Sequence, residues 1–214
     1  QTCALPISLN RNWSVGFGGA GSSGTQTSDT YRGTAAFSEP ETAGFRDFLQ
    51  NRLNMAGHID LHSYSQTLMW PYSYTATLPP ESASYTRVST NMGNALKAVN
   101  NRAYAVGNSW TVYGATAGCI EDWTSTTTGG MGFCTEVRDT GTYGFVMPTS
   151  EIIPNARENW ASAESMMEQL LAASTITLST GPGATTTPDV VTPVKVSVTA
   201  NVGSLLASAA VRLK

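Results

Sequence analysis

The segment Ile59-Asp-Leu-His-Ser-Tyr64 alternates apolar and polar residues, and this period of two predicts a β-strand. A second short extended segment, Gln66-Thr-Leu-Met-Trp-Pro71, follows it. Before the strand, Ser38-Glu-Pro-Glu41 is typical of a helix start, with a Ser cap, Pro in the first turn and acids at the positive end of the helix dipole. Helical spacing of apolar residues predicts that this helix runs to about Asn54 with one stripe on the core. The residues of that stripe are Phe45, Phe48, Leu49 and Leu53.

The rest of the chain continues this alternation of helices and strands. A helix with one apolar face is predicted over residues 81–103, and a second runs from Pro154 to about Ala173. Trp110-Thr-Val-Tyr113 and Met131-Gly-Phe-Cys-Thr-Glu-Val137 predict strands, joined by a Gly/Thr-rich loop. The expected inward-facing residues of the two helices are Val88, Met92, Leu96 and Val99, then Trp160, Met167, Leu170 and Leu171. Alternation of this kind predicts an α/β sheet fold.

Composition and charge narrow the class of protein. The 214 residues are 41% apolar and 13% charged, enough for one sizeable domain with its own core. A net charge of −3 gives no electrostatic reason to expect nucleic acid or an anionic membrane as partner, and no apolar run is long enough to cross a bilayer. Residues 14–34 predict a long loop, and residues 174–214 predict a Ser/Thr/Pro-rich linker with a short β-prone tail.

The first eight residues, Gln1-Thr-Cys-Ala-Leu-Pro-Ile-Ser8, resemble the translation of a common sequencing adapter. We therefore exclude them from the fold and expect the native domain to cover residues 9–173. On this interpretation the sequence upstream of about Leu9 is missing, including any signal peptide. The alternative is a short native strand that ends at Leu9.

The two histidines of the chain, His58 and His62, lie on one face of the predicted strand, roughly 13 Å apart along its axis. That separation is too large for both imidazoles to hold one metal ion comfortably. His62, near the strand end, can still be a metal ligand if partners come from elsewhere in the fold. The alternative is a hydrogen-bonded histidine without a metal.

A carboxylate and an Asn-Arg pair are the other candidates for chemistry. Glu136 lies between apolar Phe133 and Val137, so its side chain can point into a cleft. Burial there would raise its pKa and suit it to general-base catalysis, whereas the alternative is an ion pair with Arg138 or another Arg. Asn10-Arg11 could hold a carboxylate through charge-assisted hydrogen bonds, or could simply fix a loop.

Two cysteines remain when Cys3 is excluded with the first eight residues, namely Cys119 and Cys134. They flank a Thr- and Gly-rich interval and show no metal-ligand spacing, so we favour a disulfide formed in an oxidising compartment. In the chain-entropy model such a loop closure contributes about 3 kcal/mol. The alternative is two buried free thiols.

Several blocks of the sequence, taken in order, resemble the digestive zinc carboxypeptidases of the A/B type. The early blocks are Asn10-Arg-Asn-Trp13, Ser28-Asp-Thr-Tyr-Arg-Gly33, Phe37-Ser-Glu-Pro-Glu41, Ile59-Asp-Leu-His-Ser-Tyr-Ser-Gln66 and Pro71-Tyr72. The later blocks are Glu136-Val-Arg-Asp-Thr-Gly-Thr-Tyr-Gly-Phe145, Pro148-Thr-Ser-Glu-Ile-Ile-Pro154 and Glu158-Asn-Trp160. Each block alone is weak evidence for the family, but together the blocks follow the family's order and cover about residues 9–171. The resemblance implies a mixed parallel and antiparallel sheet flanked by helices on both faces.

The resemblance also implies catalytic roles. His62 would be one of three protein ligands of a catalytic Zn²⁺ ion. Glu136 would be the general base that deprotonates the zinc-bound water and then passes the proton to the leaving amine. Arg138 and Asp139 are interpreted as structural.

Substrate-binding roles follow from the same resemblance. Asn10 and Arg11 would hold the free C-terminal carboxylate of a peptide, and Tyr113, followed by small residues, would close over that carboxylate. Tyr64 and Phe145 would line the substrate cleft. The implied substrates are peptide or protein C-termini, with no role for nucleic acid or a membrane.

The chain departs from the family pattern at the metal. The family's other two zinc ligands come from an upstream His-x-x-Glu motif, and no His-x-x-Glu occurs in this sequence. A single histidine is insufficient, since catalytic zinc expects three protein ligands. The resemblance therefore implies that the parent protein is a secreted, monomeric metallocarboxypeptidase and that this chain is inactive alone. The alternative is a catalytically inactive homologue that binds peptide C-termini.

The segment Cys119-Ile-Glu-Asp-Trp123 is one residue longer than the family pattern, which leaves the specificity of the pocket open. Either Ile120 or Glu121 can occupy the position that faces the C-terminal side chain of the substrate. An aliphatic residue would favour apolar or aromatic C-terminal residues, while a carboxylate would favour Lys or Arg. Ser73 at the pocket wall fits either, and of the two we favour the apolar alternative.

Overall fold

A mixed four-stranded sheet forms the centre of the molecule. The computed structural model describes residues 7–51 and 55–172, together with the backbone of two short strands at 176–178 and 196–198. The strands of the main sheet are β1 (Gly57–Ser63), β2 (Thr67–Trp70), β3 (Ala105–Asn108) and β4 (Met131–Val137). Their order is β1-β4-β2-β3, with β1 parallel to β4, β2 antiparallel to β4 and β2 parallel to β3. The mixed α/β sheet predicted from the sequence is confirmed.

Two long helices cover one face of the sheet. These are α2 (Ser82–Asn100) and α5 (Ile152–Ala172), which pack against each other and against the strands. Apolar side chains from both helices and from strands β2 and β4 form one buried cluster, and burial of this surface is the main force that holds the layers together. Its central members are Leu68, Val88, Met92, Leu96, Phe133, Met166 and Leu170.

A shorter helix, α4 (Ile120–Thr127), packs on the opposite face against β4 and β1. Gly132 of β4 permits this close approach, because a Cβ atom at that position would lie 2.4 Å from the carbonyl oxygen of Glu121. A second apolar cluster forms here from Trp13, Leu49, Ile120 and Trp123. Leu49 belongs to α1 (Pro40–Gln50), so this cluster joins the first helix to α4.

The predicted strands at 59–64, 66–71 and 131–137 are confirmed by β1, β2 and β4. The prediction for 110–113 is wrong, since α3 (Ser109–Val112) is a single helical turn that follows β3. Its start is stabilised by Asn108, whose side-chain oxygen accepts a hydrogen bond from the Thr111 amide at 3.3 Å.

The Gly/Thr-rich loop predicted before β4 is also partly wrong, because it contains α4. Hydroxyl groups inside this helix bond back to carbonyls one turn earlier, as in Ser125 to Glu121 at 2.9 Å and Thr126 to Asp122 at 2.8 Å. Ser and Thr are poor helix formers when exposed. Here the burial of Ile120 and Trp123 outweighs that tendency.

Two predicted apolar stripes are buried only in part. Of the residues predicted for the α1 stripe, Leu49 is buried, while Phe45 and Phe48 are 40% and 51% exposed. On α5 the buried positions are Glu158, Ser162, Met166 and Leu170. The other predicted inward residues of α5 are exposed, with values of 65% for Trp160, 43% for Met167 and 75% for Leu171.

Helix boundaries differ from the sequence predictions by a few residues. The N-cap residue of α1 is Glu39 rather than Ser38, without a side-chain capping hydrogen bond, and the helix ends at Gln50. The helix predicted over 81–103 is confirmed as α2, although Val99 of its predicted inner face is 37% exposed. The long loop predicted over 14–34 is confirmed, with only an isolated bridge between Ser23 and Tyr31.

The tail contributes two short strands, β5 (Ile176–Leu178) and β6 (Val196–Val198), which pair antiparallel in a separate sheet. The remainder of the predicted tail, residues 1–6 and residues 52–54 with Leu53 lie outside the described residues. Within the described part of the chain, none of the helices has the length and apolar character required to cross a membrane.

Candidate active site

Parallel pairing of β1 and β4 brings the two predicted catalytic residues together. In the register of these strands, His62 lies directly opposite Glu136. Both residues sit one position before the end of their strands, at Ser63 and Val137. The ends of parallel strands are where loops converge in α/β folds, so this edge of the sheet is the expected place for a functional site.

The imidazole of His62 is held by two neighbours. Its Nε2 atom lies 2.6 Å from Oδ2 of Asp60, two residues earlier on the same face of β1. Nδ2 of Asn10 lies 3.3 Å from the same ring nitrogen. The hydrogen bond to the Asp60 carboxylate raises the pKa of His62. His58, by contrast, has its pKa lowered by burial and packs near Phe45.

Glu136 has the environment of a potential base. Its side chain is 8% exposed, and Oε2 is buried with no hydrogen-bond partner among the described residues. Burial raises the pKa of this carboxyl, while the nearby charges of His62 and Arg11 lower it. A buried carboxylate with a raised pKa is suited to accepting a proton near neutral pH.

Glu136 does not form the alternative ion pair with Arg138, because the Arg138 guanidinium binds two other carboxylates. The Arg138 guanidinium is 2% exposed and donates to Glu158, with Nε at 3.0 Å from Oε2, and also to Glu151. Asp139 accepts hydrogen bonds from the backbone amides of Gly141 at 2.9 Å and Tyr143 at 2.7 Å. Both residues therefore stabilise the fold rather than the site.

Asn10 and Arg11 lie in a 3-10 turn spanning Leu9–Arg11, where the chain approaches α4. Oδ1 of Asn10 accepts a hydrogen bond from the Ile120 amide at 2.9 Å, so its position is fixed by the start of α4. Arg11 donates from Nε to the carbonyl of Gly21 at 2.9 Å and from an Nη atom to the carbonyl of Asn10 at 2.6 Å. These bonds orient the guanidinium beside the pair formed by His62 and Glu136.

One cavity of about 210 Å³ joins most of the predicted site residues. Those that line it are Asn10, Arg11, His62, Tyr113, Cys119, Cys134 and Glu136. Tyr113 follows α3, is 56% exposed and precedes Gly114, whose φ of +101° is accessible to glycine but strained for other residues. The cavity thus combines a guanidinium, a phenol and a buried carboxylate.

Tyr64 and Phe145 are brought together, but outside that cavity. Their ring centroids are 5.0 Å apart in an edge-to-face arrangement, and Phe145 is 79% exposed. Neither residue lines the 210 Å³ cavity or the neighbouring cavity of about 350 Å³ that lies between His62 and Phe45. Their assignment to a substrate cleft remains a prediction.

The structure contradicts the predicted disulfide, since Cys119 and Cys134 are both free, buried thiols. Sγ of Cys119 is directed at backbone oxygens instead, 3.5 Å from Asn10 and 3.4 Å from Thr116. Burial raises the pKa of both thiols well above the usual value, which makes them unreactive. The two side chains form part of the cavity wall.

The described residues do not fit a zinc site. Among residues 7–51 and 55–172, no three His, Cys, Asp or Glu side chains are grouped so that they could hold a metal ion. His62 offers one imidazole, and its Nε2 is bonded to Asp60. Catalytic zinc takes three protein ligands, so these residues alone cannot bind it in that way.

Sequence analysis missed one feature of the site, and for a second it left Ile120 and Glu121 as alternatives and favoured Ile120. Asp60 shares a strand face with His62, and the period-2 pattern of β1 could have shown this pairing. The second feature is Glu121, which lines the 210 Å³ cavity, whereas Ile120 packs in the second apolar cluster and lines the 350 Å³ cavity. Because the α4 helix was not predicted, the sequence could not show in which direction each of these two side chains points.

Comparison with known proteins gives the same assignment. A family model described as zinc carboxypeptidase matches residues 5–162. Carboxypeptidase A1 from Bos taurus is 39% identical over 172 residues, which are 80% of this chain and 41% of that protein. Carboxypeptidase A4 from Mus musculus is 39% identical over 161 residues, or 75% of this chain and 38% of that protein. The chain spans about two fifths of the length of these relatives.

Solved structures agree with the sequence relatives. Carboxypeptidase A from Helicoverpa armigera superposes with a TM-score of 0.74 at 27% identity, covering 80% of this chain and 43% of that one. Bovine thrombin-activatable fibrinolysis inhibitor, in complex with tick carboxypeptidase inhibitor, superposes with a TM-score of 0.73 at 29% identity, covering 77% of this chain and 56% of that one. The chain therefore belongs to the zinc carboxypeptidase family.

Proposed function

We propose that the protein to which this chain belongs is a metallocarboxypeptidase, which removes the C-terminal residue of peptides. The observation that carries the proposal is the cavity shared by Arg11, Tyr113 and Glu136, in which one oxygen of the Glu136 carboxylate is buried without a partner among the described residues. Such a combination suits a substrate with a free carboxylate next to a bond to be hydrolysed. Membership of the family supports the same reaction.

The substrate carboxylate would bind to Arg11. A guanidinium makes strong charge-assisted hydrogen bonds with carboxylates, and that interaction distinguishes a C-terminal residue from an internal one. Asn10 would act beside it, held by its bonds to Ile120 and His62. Tyr113, exposed and followed by Gly114, would close over the bound terminus.

Glu136 would move the proton. Its carboxylate would take a proton from the attacking water and pass it to the nitrogen of the leaving amino acid as the C–N bond breaks. The raised pKa and the buried position of this group both favour proton acceptance near neutral pH. His62 lies opposite Glu136 in the strand register and contributes to the charge around it.

The described residues cannot by themselves bind a catalytic metal ion. The family name implies Zn²⁺, but the described residues offer His62 without two further ligands, and no step is assigned here to a bound metal. The activity of the whole protein is accordingly proposed for a longer polypeptide that supplies the missing ligands. Extracellular action as a monomer is part of this proposal and rests on the family resemblance.

A second candidate is a catalytically inactive homologue that binds peptide C-termini. The observation that favours it is the absence of a three-ligand group among the described residues. Against it stands the presence of Glu136, which simple binding of a terminus would not require. A His-x-x-Glu motif encoded upstream in the same gene would support the enzyme, and an intact start without that motif would support the inactive homologue.

Recognition of a free carboxylate can be tested by binding. We expect the 214-residue chain to bind a labelled peptide with a free C-terminus roughly 10- to 100-fold more tightly than the same peptide with a C-terminal amide. Arg11→Met should remove this difference, because it removes the positive charge while keeping a side chain of similar length. Fluorescence anisotropy of the two peptides measures both effects.

The matched control for this experiment is Arg157→Met, which removes an exposed guanidinium from α5 on the other side of the sheet. It should retain the preference for the free carboxylate. Equal binding of the acid and the amide by the unaltered chain would show that the carboxylate is not recognised, and the proposed function would fail.

Hydrolysis by the chain alone gives a second test. Incubated with Zn²⁺ and synthetic peptides, the 214-residue chain should release no C-terminal amino acid above the rate of a Glu136→Gln control, because the described residues do not supply three protein ligands for zinc. Chromatography of the products measures release. Zinc-dependent release that Glu136→Gln abolishes would contradict our assignment of the metal ligands to a longer polypeptide.

A further inference from the structure

The segment that carries Tyr113 is held loosely up to Ala115 and tightly after it. Tyr113 is 56% exposed and the next two residues are half-buried, whereas residues 116–120 are all buried. The amides of Tyr113 and Gly114 both donate to the carbonyl of Ser109, at 2.9 and 3.3 Å. The Ala115 amide has no hydrogen-bond acceptor in the described part of the chain. The part of this segment that can move over a ligand is therefore short, residues 113–115.

The first fixed point after these three residues is Thr116. Its amide donates to the carbonyl of Ser73 at 2.9 Å. The next two amides, those of Ala117 and Gly118, donate to carbonyls in the loop over residues 14–34, at 2.9 and 3.2 Å. Successive backbone bonds of this kind hold the chain in one conformation from Thr116 onward. Thr116 is therefore the pivot about which Tyr113 can turn.

Ser73 contacts the pivot twice. Its carbonyl accepts the Thr116 amide, and its hydroxyl oxygen lies 2.6 Å from the Thr116 carbonyl oxygen and 2.6 Å from Oδ2 of Asp122. A serine hydroxyl carries one proton, so it donates to one of these oxygens at a time while it stays within reach of both. The side chain of Ser73 is 1% exposed, so water does not compete for these bonds. The other side chain at the Thr116 carbonyl is Cys119, whose thiol is a weak donor at 3.4 Å.

Ser73 is itself fixed by the first turn of α4. The carboxylate of Asp122 accepts hydrogen bonds from the Ser73 amide at 3.0 Å and from the Tyr74 amide at 3.2 Å. Asp122 is 0% exposed, so its own position is set by the packing of α4 on the sheet. The pivot at Thr116 is therefore tied through Ser73 to a rigid element of the fold.

The geometry points to Ser73 as a positioning residue for Tyr113, which holds the pivot at Thr116 while Tyr113 closes over a bound terminal carboxylate. This inference rests on the proposed function, in which Arg11 holds that carboxylate. A fixed pivot leaves residues 113–115 few conformations, and this reduces the entropy that is lost when Tyr113 closes. Ser73 therefore acts on the ligand through Tyr113.

Binding of one labelled peptide, as the free acid and as the C-terminal amide, tests this role. We expect Ser73→Ala to weaken binding of the acid roughly 3- to 10-fold and binding of the amide less than about 2-fold, because Tyr113 closes over the carboxylate. The loss should be the same for peptides that end in Leu and in Lys, because the pivot acts on the carboxylate and not on the terminal side chain. Fluorescence anisotropy measures all of these affinities.

A double-mutant cycle separates positioning from a general loss of structure. In a Tyr113→Ala background, Ser73→Ala should have no further effect on binding of the acid, because the side chain that it positions is already absent. A merely structural role would weaken binding equally with and without Tyr113. The cycle needs four proteins and the same labelled peptide.

Ser89→Ala is the matched control. Ser89 lies in α2, is also 1% exposed, and its hydroxyl donates to the Thr86 carbonyl at 3.3 Å. The substitution therefore removes a buried hydroxyl away from the cavity, and it should leave the ratio of acid to amide affinity unchanged. Near-UV circular dichroism confirms that each variant is folded.

Amide hydrogen exchange on the unaltered chain is a second measurement, which does not depend on whether Ser73→Ala folds. We expect the Thr116 amide to exchange at least about 100-fold more slowly than the Ala115 amide, because only the former is buried and bonded. Exchange of both amides at similar rates would mean that Thr116 is not a fixed point, and the inference would be wrong.

Failure of this inference is distinguishable from failure of the proposed function. The role of Ser73 is overturned if Ser73→Ala leaves binding of the acid unchanged, weakens the acid and the amide equally, or has the same effect in both Tyr113 backgrounds. A loss confined to peptides with one terminal side chain would also overturn it, since Ser73 would then act as part of the cavity wall. In each of these cases the proposed function stands. If the unaltered chain binds the acid and the amide alike, the carboxylate is not recognised, and both proposals fail.

Discussion

Replacing Arg138 with Met should lower the free energy of unfolding by about 3–5 kcal/mol. Arg138 is 2% exposed, and its guanidinium donates to Glu158, which is 0% exposed, and to Glu151. Met would leave the Glu158 carboxylate buried without its counter-charge, and the desolvation cost of that charge would no longer be offset. For a domain of this size the melting temperature should fall by roughly 6–20 °C, measured by differential scanning calorimetry.

Arg102 offers a matched control within the same network. Its guanidinium lies 3.5 Å from Glu151, but its side chain is 41% exposed, so water screens the pair. Arg102→Met should therefore cost less than about 1 kcal/mol. If Arg102→Met and Arg138→Met lowered the melting temperature equally, burial would not be the reason for the effect, and the structural role given to Arg138 would be wrong.

The ion pair between Arg138 and Glu158 shows where sequence analysis succeeds. Glu136, Arg138 and Asp139 occur in one continuous block, and the resemblance implied a catalytic role for the first and structural roles for the other two. The structure agrees with the two structural roles, because Arg138 bonds to α5 and Asp139 to its own turn. The strands β1, β2 and β4 were likewise predictable, since alternation and buried apolar runs are local signals.

The site itself was predictable only in part, because its walls come from distant segments. Arg11 and Glu121 are 110 positions apart in the chain, and only the folded structure puts them on one cavity. Their relation depends on α4, whose Ser/Thr-rich sequence is typical of a loop. Without that helix, the sequence cannot show that Ile120 packs against Trp13 while the next side chain faces the cavity.

Surface aromatic residues were the other source of error. Trp160 on α5 is 65% exposed and Phe48 on α1 is 51% exposed, although both lie at helical spacing from apolar neighbours. Periodicity identifies an apolar face, but it does not say which neighbour covers that face. On α5 the buried side instead includes Glu158, which the ion pair with Arg138 allows.

Gly118→Ala should destabilise the protein by more than the roughly 1–2 kcal/mol that a left-handed backbone costs a residue with a Cβ atom. Gly118 has a φ of +83°, and a Cβ there would lie 2.4 Å from the carbonyl oxygen of Arg11. Its backbone is bonded on both sides to the segment after Arg11, through Trp13 at 3.1 Å and Val15 at 3.2 Å. Thermal denaturation measures the loss of stability.

Relief of that clash must move the turn that carries Arg11, because the contact is with backbone atoms rather than with a flexible side chain. We therefore expect Gly118→Ala to weaken binding of free-carboxylate peptides as well. Gly129→Ala is the matched control, with a φ of +76° and no atom within 4 Å of the added Cβ. This variant should lose only the stability that a left-handed backbone costs a residue with a Cβ atom, and it should bind peptides normally. Equal effects of the two substitutions on binding would mean that the position of Arg11 does not depend on the close approach of Gly118.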